Sequence, residues 1–202
     1  MADELAHVID DEPAVRDSLA FLLETANLRP CVYESALAFL EALPQVKAGC
    51  VVTDVRMPEM TGIELVKRLK AEGFSLPIIM ITGHADVPLA VEAMKAGVAD
   101  FIEKPFDDEA LLSAIQSALQ AGEKDRQGAA EAAEIAARIA TLSGREREVL
   151  QGLVAGRANK VIAYDLGISP RTIEIYRANV MTKMKAASLS ELVRMAMRAE
   201  RV

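Results

Sequence analysis

A single aspartate closes an apolar segment that is otherwise typical of a buried strand. The segment reads CVVTD from Cys50 to Asp54, and the residues RMPEMTG follow it as far as Gly62. A carboxylate at such a place is costly to bury unless a cation or hydrogen-bond donors accompany it. Asp54 is therefore a candidate for chemistry.

Three other strand-like segments end in polar residues that would complement Asp54. Asp10 and Asp11 follow the first segment, Thr82 closes the fourth and Lys104 follows the fifth. Carboxylates at strand ends are usually solvated caps, but the carboxyl ends of parallel strands share one edge, where ligands bind. Three carboxylates there would repel one another without a cation, and such oxygen ligands suit Mg²⁺. An ammonium and a hydroxyl beside them suit a phosphoryl group.

The first 120 residues alternate between short apolar segments and stretches with helical spacing. This alternation predicts an α/β domain with a doubly wound, five-stranded parallel sheet and helices on both faces. Strands are predicted at residues 5–10, 31–34, 50–54, 77–82 and 99–103, and helices at 14–26, 35–43, 62–71, 86–96 and 107–121.

The rest of the chain is predicted to be helical. Residues 121–144 are rich in Ala and Glu, with Ile135, Ile139 and Leu142 at helical spacing. They form either a helical linker with a modest apolar stripe or a segment whose three apolar residues dock on the next domain. Four short helices are predicted beyond it, at 145–155, 159–165, 170–184 and 189–199.

Local signals in this part outline a helix-turn-helix. Ser143 with Glu146 three residues later is a capping box. Gly167 is a helix stop, and Ser169 with Pro170 starts the next helix. The resulting domain boundaries are 1–121 for the α/β domain, 122–142 for the linker and 143–202 for a small all-α domain of four helices.

Charge is distributed unevenly along the chain. Residues 1–122 hold 9 Lys and Arg against 20 Asp and Glu, whereas residues 123–202 hold 14 against 10. Only the second part is therefore expected to meet a polyanion. There is no basic signal sequence, and no apolar run approaches the roughly 18 residues that span a bilayer. With two cysteines that lack metal-type spacing, we expect a cytoplasmic protein without a membrane segment.

The segments VIDDE, TDVRMPEMTG, MITGH and DFIEKPF resemble, in order and spacing, the receiver domain of bacterial two-component response regulators, which is the CheY-like fold. The resemblance implies that Asp54 is the phospho-acceptor and that Thr82 and Lys104 contact the incoming phosphoryl group. It also implies that Asp10, Asp11, Asp54 and the carbonyl of Arg56 hold Mg²⁺, and that the bond between Lys104 and Pro105 is cis. His7 and His84 are not expected to be ligands, although His84 follows Thr82 and is a candidate for the pocket mouth.

A switch is implied by the same resemblance, in which Thr82 moves towards the phosphoryl group and Phe101 turns inward. The alternative for Phe101 is ordinary core packing. Helical spacing puts Leu89, Ala90, Ala93 and Gly97 towards the sheet, which leaves an apolar surface available for phosphorylation-dependent dimerisation. The predicted interface comprises this helix, the last strand near Phe101 and the final helix of the α/β domain. Its named residues are Val87, Val91, Lys95 and Phe101.

Residues from Ser143 onward resemble the LuxR-type helix-turn-helix domain of the FixJ/NarL family, and the combination of domains is most like the FixJ group of nitrogen-fixation regulators. Helical spacing puts Ile173, Tyr176, Val180 and Met184 on the core face of the recognition helix. Arg171, Glu174, Ile175, Ala178, Asn179 and Thr182 lie on the opposite side, where base contacts are expected, and Lys160, Arg177 and Lys183 sit towards the edges, where phosphate contacts are expected. Ile175 has the alternative of packing against the fourth helix. The predicted DNA-binding residues are Lys160, Arg171, Thr172, Glu174, Ile175, Arg177, Ala178, Asn179, Thr182 and Lys183.

Together these features predict a phosphorylation-activated transcription regulator, expected to be an activator, and not a turnover enzyme. The resemblance implies a FixL-like sensor histidine kinase, promoter DNA and RNA polymerase as partners, and a homodimer once phosphorylated. Two alternatives remain, a phosphohydrolase that uses Asp54 as nucleophile and a DNA-binding regulator that needs no phosphate. Arg56 occupies the position where related phosphatases place an acidic residue, which speaks against the first.

Overall fold

The computed structural model describes residues 4–83 and 87–199. The chain divides into two compact units, residues 1–124 and residues 125–202. His84 and Asp86, the first residue of the fourth predicted helix, lie outside the described residues. Within the described ranges, no helix is both long enough and apolar enough to cross a membrane.

The first unit is built on a five-stranded parallel sheet in the order β2-β1-β3-β4-β5. Its strands are β1 (Glu4–Ile9), β2 (Leu28–Tyr33), β3 (Cys50–Asp54), β4 (Ile78–Thr82) and β5 (Asp100–Glu103). This topology confirms the predicted α/β class. Since β1 pairs with β2 on one side and β3 on the other, with Ile9 opposite Thr53, the carboxyl ends of β1 and β3 lie side by side.

Helices cover both faces of the sheet. They are α1 (Pro13–Thr25), α2 (Ala36–Ala42), α3 (Gly62–Ala71), α4 (Val87–Ala96) and α5 (Asp108–Ala140). Successive strand residues point to opposite faces. Val51 packs in one apolar cluster with Phe39 of α2, to which α3 and α4 also contribute. Val52 packs in the other cluster with Leu23 of α1 and Ile115 of α5.

Helix α5 is longer than the sequence indicated. A helix was predicted over residues 107–121 with a separate helical linker after it, but one helix continues from Asp108 to Ala140 without interruption. Gly122 and Gly128 lie inside it. A glycine costs about 1 kcal/mol relative to alanine in a helix, and the surrounding Ala and Glu residues favour helix strongly enough to offset that cost. The glycines therefore do not mark a helix boundary.

The second unit contains the end of α5 and four further helices among the residues that the structure describes. They are α6 (Gly144–Val154), α7 (Asn159–Leu166), α8 (Pro170–Met184) and α9 (Leu189–Ala199). Ile135 and Leu142 are buried in the apolar cluster that these helices form, and Ile139 is partly buried against it. Of the two interpretations of this stretch, docking on the following helices is the one the structure supports.

The predicted helix caps of the second unit are confirmed. Ser143 Oγ accepts the N–H of Glu146 at 3.3 Å, and Glu146 Oε2 accepts the N–H of Ser143 at 2.7 Å. Gly167 ends α7 with φ 65°, a left-handed conformation that favours glycine. Ser169 Oγ accepts the N–H of Thr172 at 3.1 Å and starts α8. The helix-turn-helix outline is therefore present in α7 and α8.

His7 is a buried imidazole in the middle of β1. Its Nε2 lies 3.0 Å from the carbonyl oxygen of Ala48, which can only accept a hydrogen bond, so Nε2 carries the proton. Nδ1, 3.2 Å from the hydroxyl of Tyr33, is then the acceptor. Burial lowers the pKa of His7, and the bond to Ala48 offsets this only in part. Burial therefore favours the neutral ring.

We expect His7 to make the first unit sensitive to acid. Its folded-state pKa lies below the 6.5 of an unfolded histidine, so the unfolded chain takes up a proton first as the pH falls. The stability present above about pH 6.5 is then lost towards the folded pKa, with a slope of at most about 1.4 kcal/mol per pH unit for one group. Urea unfolding of the first unit between about pH 7.5 and pH 5.5 measures this slope.

His84, the other histidine of the sequence, provides the control for this pH dependence. His7→Gln keeps an amide N–H for the carbonyl of Ala48 and should remove the pH dependence, whereas His84→Gln should retain it. A slope that disappears in His84→Gln and persists in His7→Gln would contradict the assignment.

Candidate active site and nucleic-acid interface

Asp54 ends β3 and is almost completely buried. Its Oδ1 accepts a hydrogen bond from Lys104 Nζ at 2.9 Å. Its Oδ2 accepts the backbone N–H of Arg56 at 2.6 Å. The carboxylate that the sequence singled out is therefore held by donors on both oxygens, which is what its burial requires.

Asp10, which directly follows β1, is the second buried carboxylate at this edge of the sheet. Its Oδ2 accepts from Lys104 Nζ at 3.0 Å, and its Oδ1 accepts the N–H of Glu12 at 2.9 Å. Arg16, on the first turns of α1, donates from Nη1 to the backbone carbonyl of Asp10 at 2.7 Å. Sequence reasoning missed Arg16, because no local signal connects it to the acidic residues.

Lys104 joins the two carboxylates through one ammonium group. Burial would lower the pKa of Lys104, but the hydrogen bonds and negative charges of Asp54 and Asp10 outweigh that effect and raise it. The lysine is therefore charged at neutral pH. One positive charge between two negative ones leaves a net negative edge, which favours a further cation.

Asp11 is not brought into this cluster, because its side chain is exposed. Within residues 4–83 and 87–199, no three His, Cys, Asp or Glu residues lie close enough together to hold a metal ion. The two buried carboxylates are nonetheless hard oxygen donors of the kind that Mg²⁺ prefers, and a third lies next to Asp10 in the chain. The donor set therefore fits Mg²⁺, although the cluster of three predicted from the sequence is not assembled in the structure.

Thr82 and Phe101 lie on neighbouring strands beside this edge. Thr82 is buried at the end of β4, and its backbone carbonyl accepts the N–H of Lys104 at 2.7 Å. Phe101 pairs with Met80 across β4 and β5 and is partly buried against the first apolar cluster. The predicted cis bond between Lys104 and Pro105 is confirmed.

Gly62 is essential to the geometry around Asp54. A Cβ at residue 62 would lie 2.2 Å from the backbone oxygen of Asp54 and 3.2 Å from Cα of Val55. The N–H of Gly62 donates to the carbonyl of Val55 at 2.9 Å, which closes the loop after β3. Thr61 and Glu64 then form a capping box for α3. The sequence TGIE contains that capping signal, but no pattern in the sequence indicates the close approach at Gly62.

Helix α4 presents the apolar surface that helical spacing predicted. Val87 is 77% exposed and Val91 is 45% exposed, and Lys95 is exposed as well. Met94, which we did not predict, is also exposed and lines a shallow depression with Val91 and Lys95. Its position seven residues after Val87 is the signal that would have identified it.

The side of α4 that faces the sheet differs from the expectation at two positions. Ala93 is buried, and Leu89 and Ala96 pack against the core, whereas Ala90 is only partly buried and lines the depression. The placement of Gly97 on the sheet side is wrong, because α4 ends at Ala96 and Gly97 is exposed.

Helix α8 separates its faces as predicted. Ile173, Val180 and Met184 are fully buried and Tyr176 is partly buried. Ile175 is 58% exposed, so the alternative that it packs against α9 is wrong. The predicted base-reading positions are all exposed, namely Arg171, Glu174, Ile175, Ala178, Asn179 and Thr182.

The structure gives the other predicted DNA-binding residues different surroundings. Lys160 is exposed at the start of α7, and Arg177 is partly buried. The Thr172 hydroxyl lies 2.8 Å from Ser169 Oγ within the N-cap of α8. Lys183 Nζ donates to Glu146 Oε2 at 2.7 Å, so its charge is already paired within the domain. The assignment of Lys183 as a phosphate contact therefore has a competing explanation.

Each of the two units matches a known protein family. Residues 6–116 match the family described as "Response regulator receiver domain". Residues 140–196 match the family described as "Bacterial regulatory proteins, luxR family". The chain therefore belongs to the response regulators that combine a receiver domain with a luxR-type DNA-binding domain, which are transcription regulators of two-component systems.

Within that class, the chain is similar to FixJ. It is 59% identical over 193 residues to the transcriptional regulatory protein FixJ of Bradyrhizobium diazoefficiens, covering 96% of this chain and 94% of the relative. The crystal structure of full-length FixJ from B. japonicum matches at 56% identity and a TM-score of 0.63, covering 100% of both chains. The response regulator StyR matches at 40% identity and a TM-score of 0.85, covering 98% and 100%.

We predict that Gly62→Ala disturbs the pocket and destabilises the first unit. The added methyl must displace the backbone at Asp54, and overpacking of this kind typically costs about 1–3 kcal/mol. Chemical denaturation measures the loss. Gly128→Ala is the control, since no atom outside the local helix lies within 4 Å of a Cβ there, and it should stabilise helix α5 by up to about 1 kcal/mol. Equal stability of the two variants would contradict the close approach at Gly62.

Proposed function

We propose that Asp54 is the residue on which this response regulator is phosphorylated. The observation that carries the proposal is the single ammonium of Lys104 shared by Asp54 and Asp10 at 2.9 Å and 3.0 Å. A buried carboxylate that accepts a backbone N–H and faces an ammonium is fixed in orientation, which suits a nucleophile. Lys104 then lies beside any group that becomes attached to Asp54.

The proposed transfer has two reactants, the phosphoryl donor and the carboxylate of Asp54. A carboxylate oxygen of Asp54 attacks the phosphorus of the donor, the bond from phosphorus to the donor's nitrogen or oxygen breaks, and the leaving group departs with that electron pair. An acyl phosphate is formed on Asp54. Lys104 would exchange its bond to Asp54 for one to a phosphoryl oxygen and would stabilise the charge that develops there.

Mg²⁺ is the cofactor that we propose for this step. Asp10, Asp11 and Asp54, with the backbone carbonyl of Arg56, would hold the ion, which would neutralise negative charge on the phosphoryl oxygens. The net negative charge of the pair Asp10 and Asp54 with Lys104 supports the assignment. Asp11 would have to turn inward from its exposed position to take part.

We propose further that phosphorylation acts through Thr82 and Phe101 to favour a homodimer. Thr82 ends the strand next to β3, and Phe101 lies two residues from the end of the last strand. A phosphoryl group adds about −1.5 to −2 charges near Thr82, by analogy with phosphoserine. The exposed apolar face of α4, with Val87, Val91 and Lys95, is the surface that a second copy would cover.

We assign promoter recognition to α8 and its flanks. Arg171 and Glu174 would bond to bases, and Ile175 and Ala178 would pack against thymine methyl groups. Lys160 and Arg177 would contact phosphates, and Asn179, Thr172 and Thr182 lie on or beside the same face. We expect a dimer to hold two half-sites, since the residues from Ser143 onward carry only 11 Lys and Arg against 6 Asp and Glu.

The remaining assignments follow from these roles. We propose a receiver domain over residues 1–121, a linker over 122–142 and a DNA-binding domain over 143–202, with the linker forming part of α5. A FixL-like sensor histidine kinase would supply the phosphoryl group, RNA polymerase would be the partner at the promoter, and nitrogen-fixation genes are the proposed targets. We expect the protein to act in the cytoplasm. Arg56 offers no general acid for turnover, so any loss of phosphate should be slow.

The role of Asp54 predicts a simple chemical result. Incubation of the full chain with acetyl phosphate and Mg²⁺, followed by intact mass measurement, should show one added phosphoryl group. Asp54→Asn should show none, because an amide does not attack phosphorus under these conditions. Asp17→Asn, an exposed position on α1, is the control and should be modified as efficiently as the original chain. A phosphoryl adduct on Asp54→Asn would contradict the assignment.

The proposed dimer predicts a second result. Light scattering with and without acetyl phosphate and Mg²⁺ should show a mass increase that Val91→Glu abolishes, because the charge would be buried in the interface. Val161→Glu is a matched control, since Val161 is also a valine on a helix and is 48% exposed against 45% for Val91. Both variants should take up phosphate normally. Dimerisation lost in Val161→Glu and retained in Val91→Glu would exclude the face of α4.

A further inference from the structure

The ammonium of Lys183, on the last turn of α8, is paired with groups of the second unit. Its Nζ donates to Glu146 Oε2 at 2.7 Å and lies 3.5 Å from the carbonyl oxygen of Thr141. Glu146 is only 4% exposed. The same Oε2 accepts the N–H of Ser143 at 2.7 Å, so one carboxylate oxygen serves both the cap of α6 and the end of α8.

A second contact holds the same end of α8. Arg138, near the end of α5, donates from Nη1 to the backbone carbonyl of Met184 at 3.0 Å. Its Nη2 is paired with Glu134 Oε1 at 2.6 Å, one helical turn earlier. A guanidinium at this place satisfies a carbonyl that has no partner within the helix and complements the negative end of the helix dipole.

The two contacts connect α8 to the same short junction. Arg138, Thr141 and Glu146 all lie where α5 passes into α6, and Lys183 and Met184 are the last two residues of α8. We call these five residues the latch. Removing Lys183 would leave a nearly buried carboxylate without its cation, and removing the charge of Glu146 would leave the ammonium with neutral acceptors only. Either change should therefore alter the angle at which α8 leaves the core.

We infer that Lys183 and Glu146 are positioning residues for DNA recognition, and that Lys183 is not a phosphate contact. The latch fixes the C-terminal end of α8, so its exposed face presents base-reading side chains at a defined angle to the groove. The inference rests on the proposed role of α8 as the helix that reads DNA. It differs from the expectation from sequence, which assigned Lys183 to the DNA backbone by helical spacing.

The two roles predict opposite effects for Glu146→Gln. If Lys183 contacts phosphate, freeing its ammonium and removing a negative charge should leave DNA binding unchanged or make it tighter. If Lys183 positions α8, the same substitution should weaken specific binding. Salt dependence separates the roles again, because each phosphate contact contributes about 0.9 to the slope of log K against log salt. Loss of a positioning residue leaves that slope unchanged.

The experiment uses the full chain, phosphorylated with acetyl phosphate, and a duplex selected from a random DNA library by the unmodified protein. Fluorescence anisotropy gives the affinity at several salt concentrations, for this duplex and for an unrelated one. All measurements are made at a temperature at which circular dichroism shows every variant to be folded. Lys160→Met serves as the phosphate-contact reference and Arg171→Ala as the test of α8 itself.

We expect Lys183→Met and Glu146→Gln each to lose affinity for the selected duplex on the order of tenfold, comparable to the loss of one good base contact. Their salt slopes should match that of the unmodified chain, and binding to the unrelated duplex should change much less. Lys160→Met should reduce the slope by about 0.9 and weaken binding to both duplexes similarly.

Three results would overturn the inference. A reduced slope in Lys183→Met with unchanged or tighter binding by Glu146→Gln would make Lys183 a phosphate contact. Normal affinity of both folded variants, with only their melting temperatures lowered, would make the latch purely structural. If Arg171→Ala also bound normally, the proposed role of α8 would itself fail, and that outcome is distinct from the other two.

Discussion

The receiver half of this protein depends on one ammonium group placed between two buried carboxylates. Asp10 and Asp54 end neighbouring strands, and their charges would repel each other strongly in a medium of low polarity. Lys104 relieves that repulsion with hydrogen bonds of 2.9 Å and 3.0 Å. The contact joins segments that are 50 and 94 residues apart in the chain. It therefore requires that β1, β3 and β5 run in the same direction and end at the same edge.

The ammonium neutralises only one of the two negative charges. The edge keeps a net negative charge, which favours the binding of a cation, and it also holds an ammonium where we propose that a phosphoryl oxygen comes to lie. A more complete neutralisation would stabilise the resting fold at the expense of both properties. Functional sites are commonly places where buried groups of like charge are held close together.

Much of the fold and of the pocket could be predicted because their signals are local or periodic. Apolar segments of four to six residues, each followed by a helical stretch, define a parallel sheet, and the polar residues at their ends then define the site. The features that could not be predicted are contacts between residues that are far apart in the chain. The contact of Arg16 with the carbonyl of Asp10 and the closeness of Gly62 to Asp54 leave no pattern in the sequence. Asp11 shows that closeness in the chain can also mislead, since it is the neighbour of Asp10 and yet its side chain is exposed and lies outside the cluster.

Lys183 shows most clearly why helical spacing is insufficient to predict the partner of a side chain. Spacing correctly identified which side of α8 is buried, because burial follows the period of the helix. It could not tell whether an exposed-looking lysine faces DNA or a carboxylate from another helix. Glu146 lies 37 residues away and reaches Lys183 only after α6 and α8 have packed.

Each domain of this protein has its own apolar interior, formed by one continuous stretch of the sequence. Two of the three clusters draw on residues between Ala6 and Leu119, and the third draws on residues between Ile135 and Ala199. Each interior is thus encoded by an uninterrupted stretch of the gene. Recombination between them would therefore exchange one domain for another without disrupting a hydrophobic core.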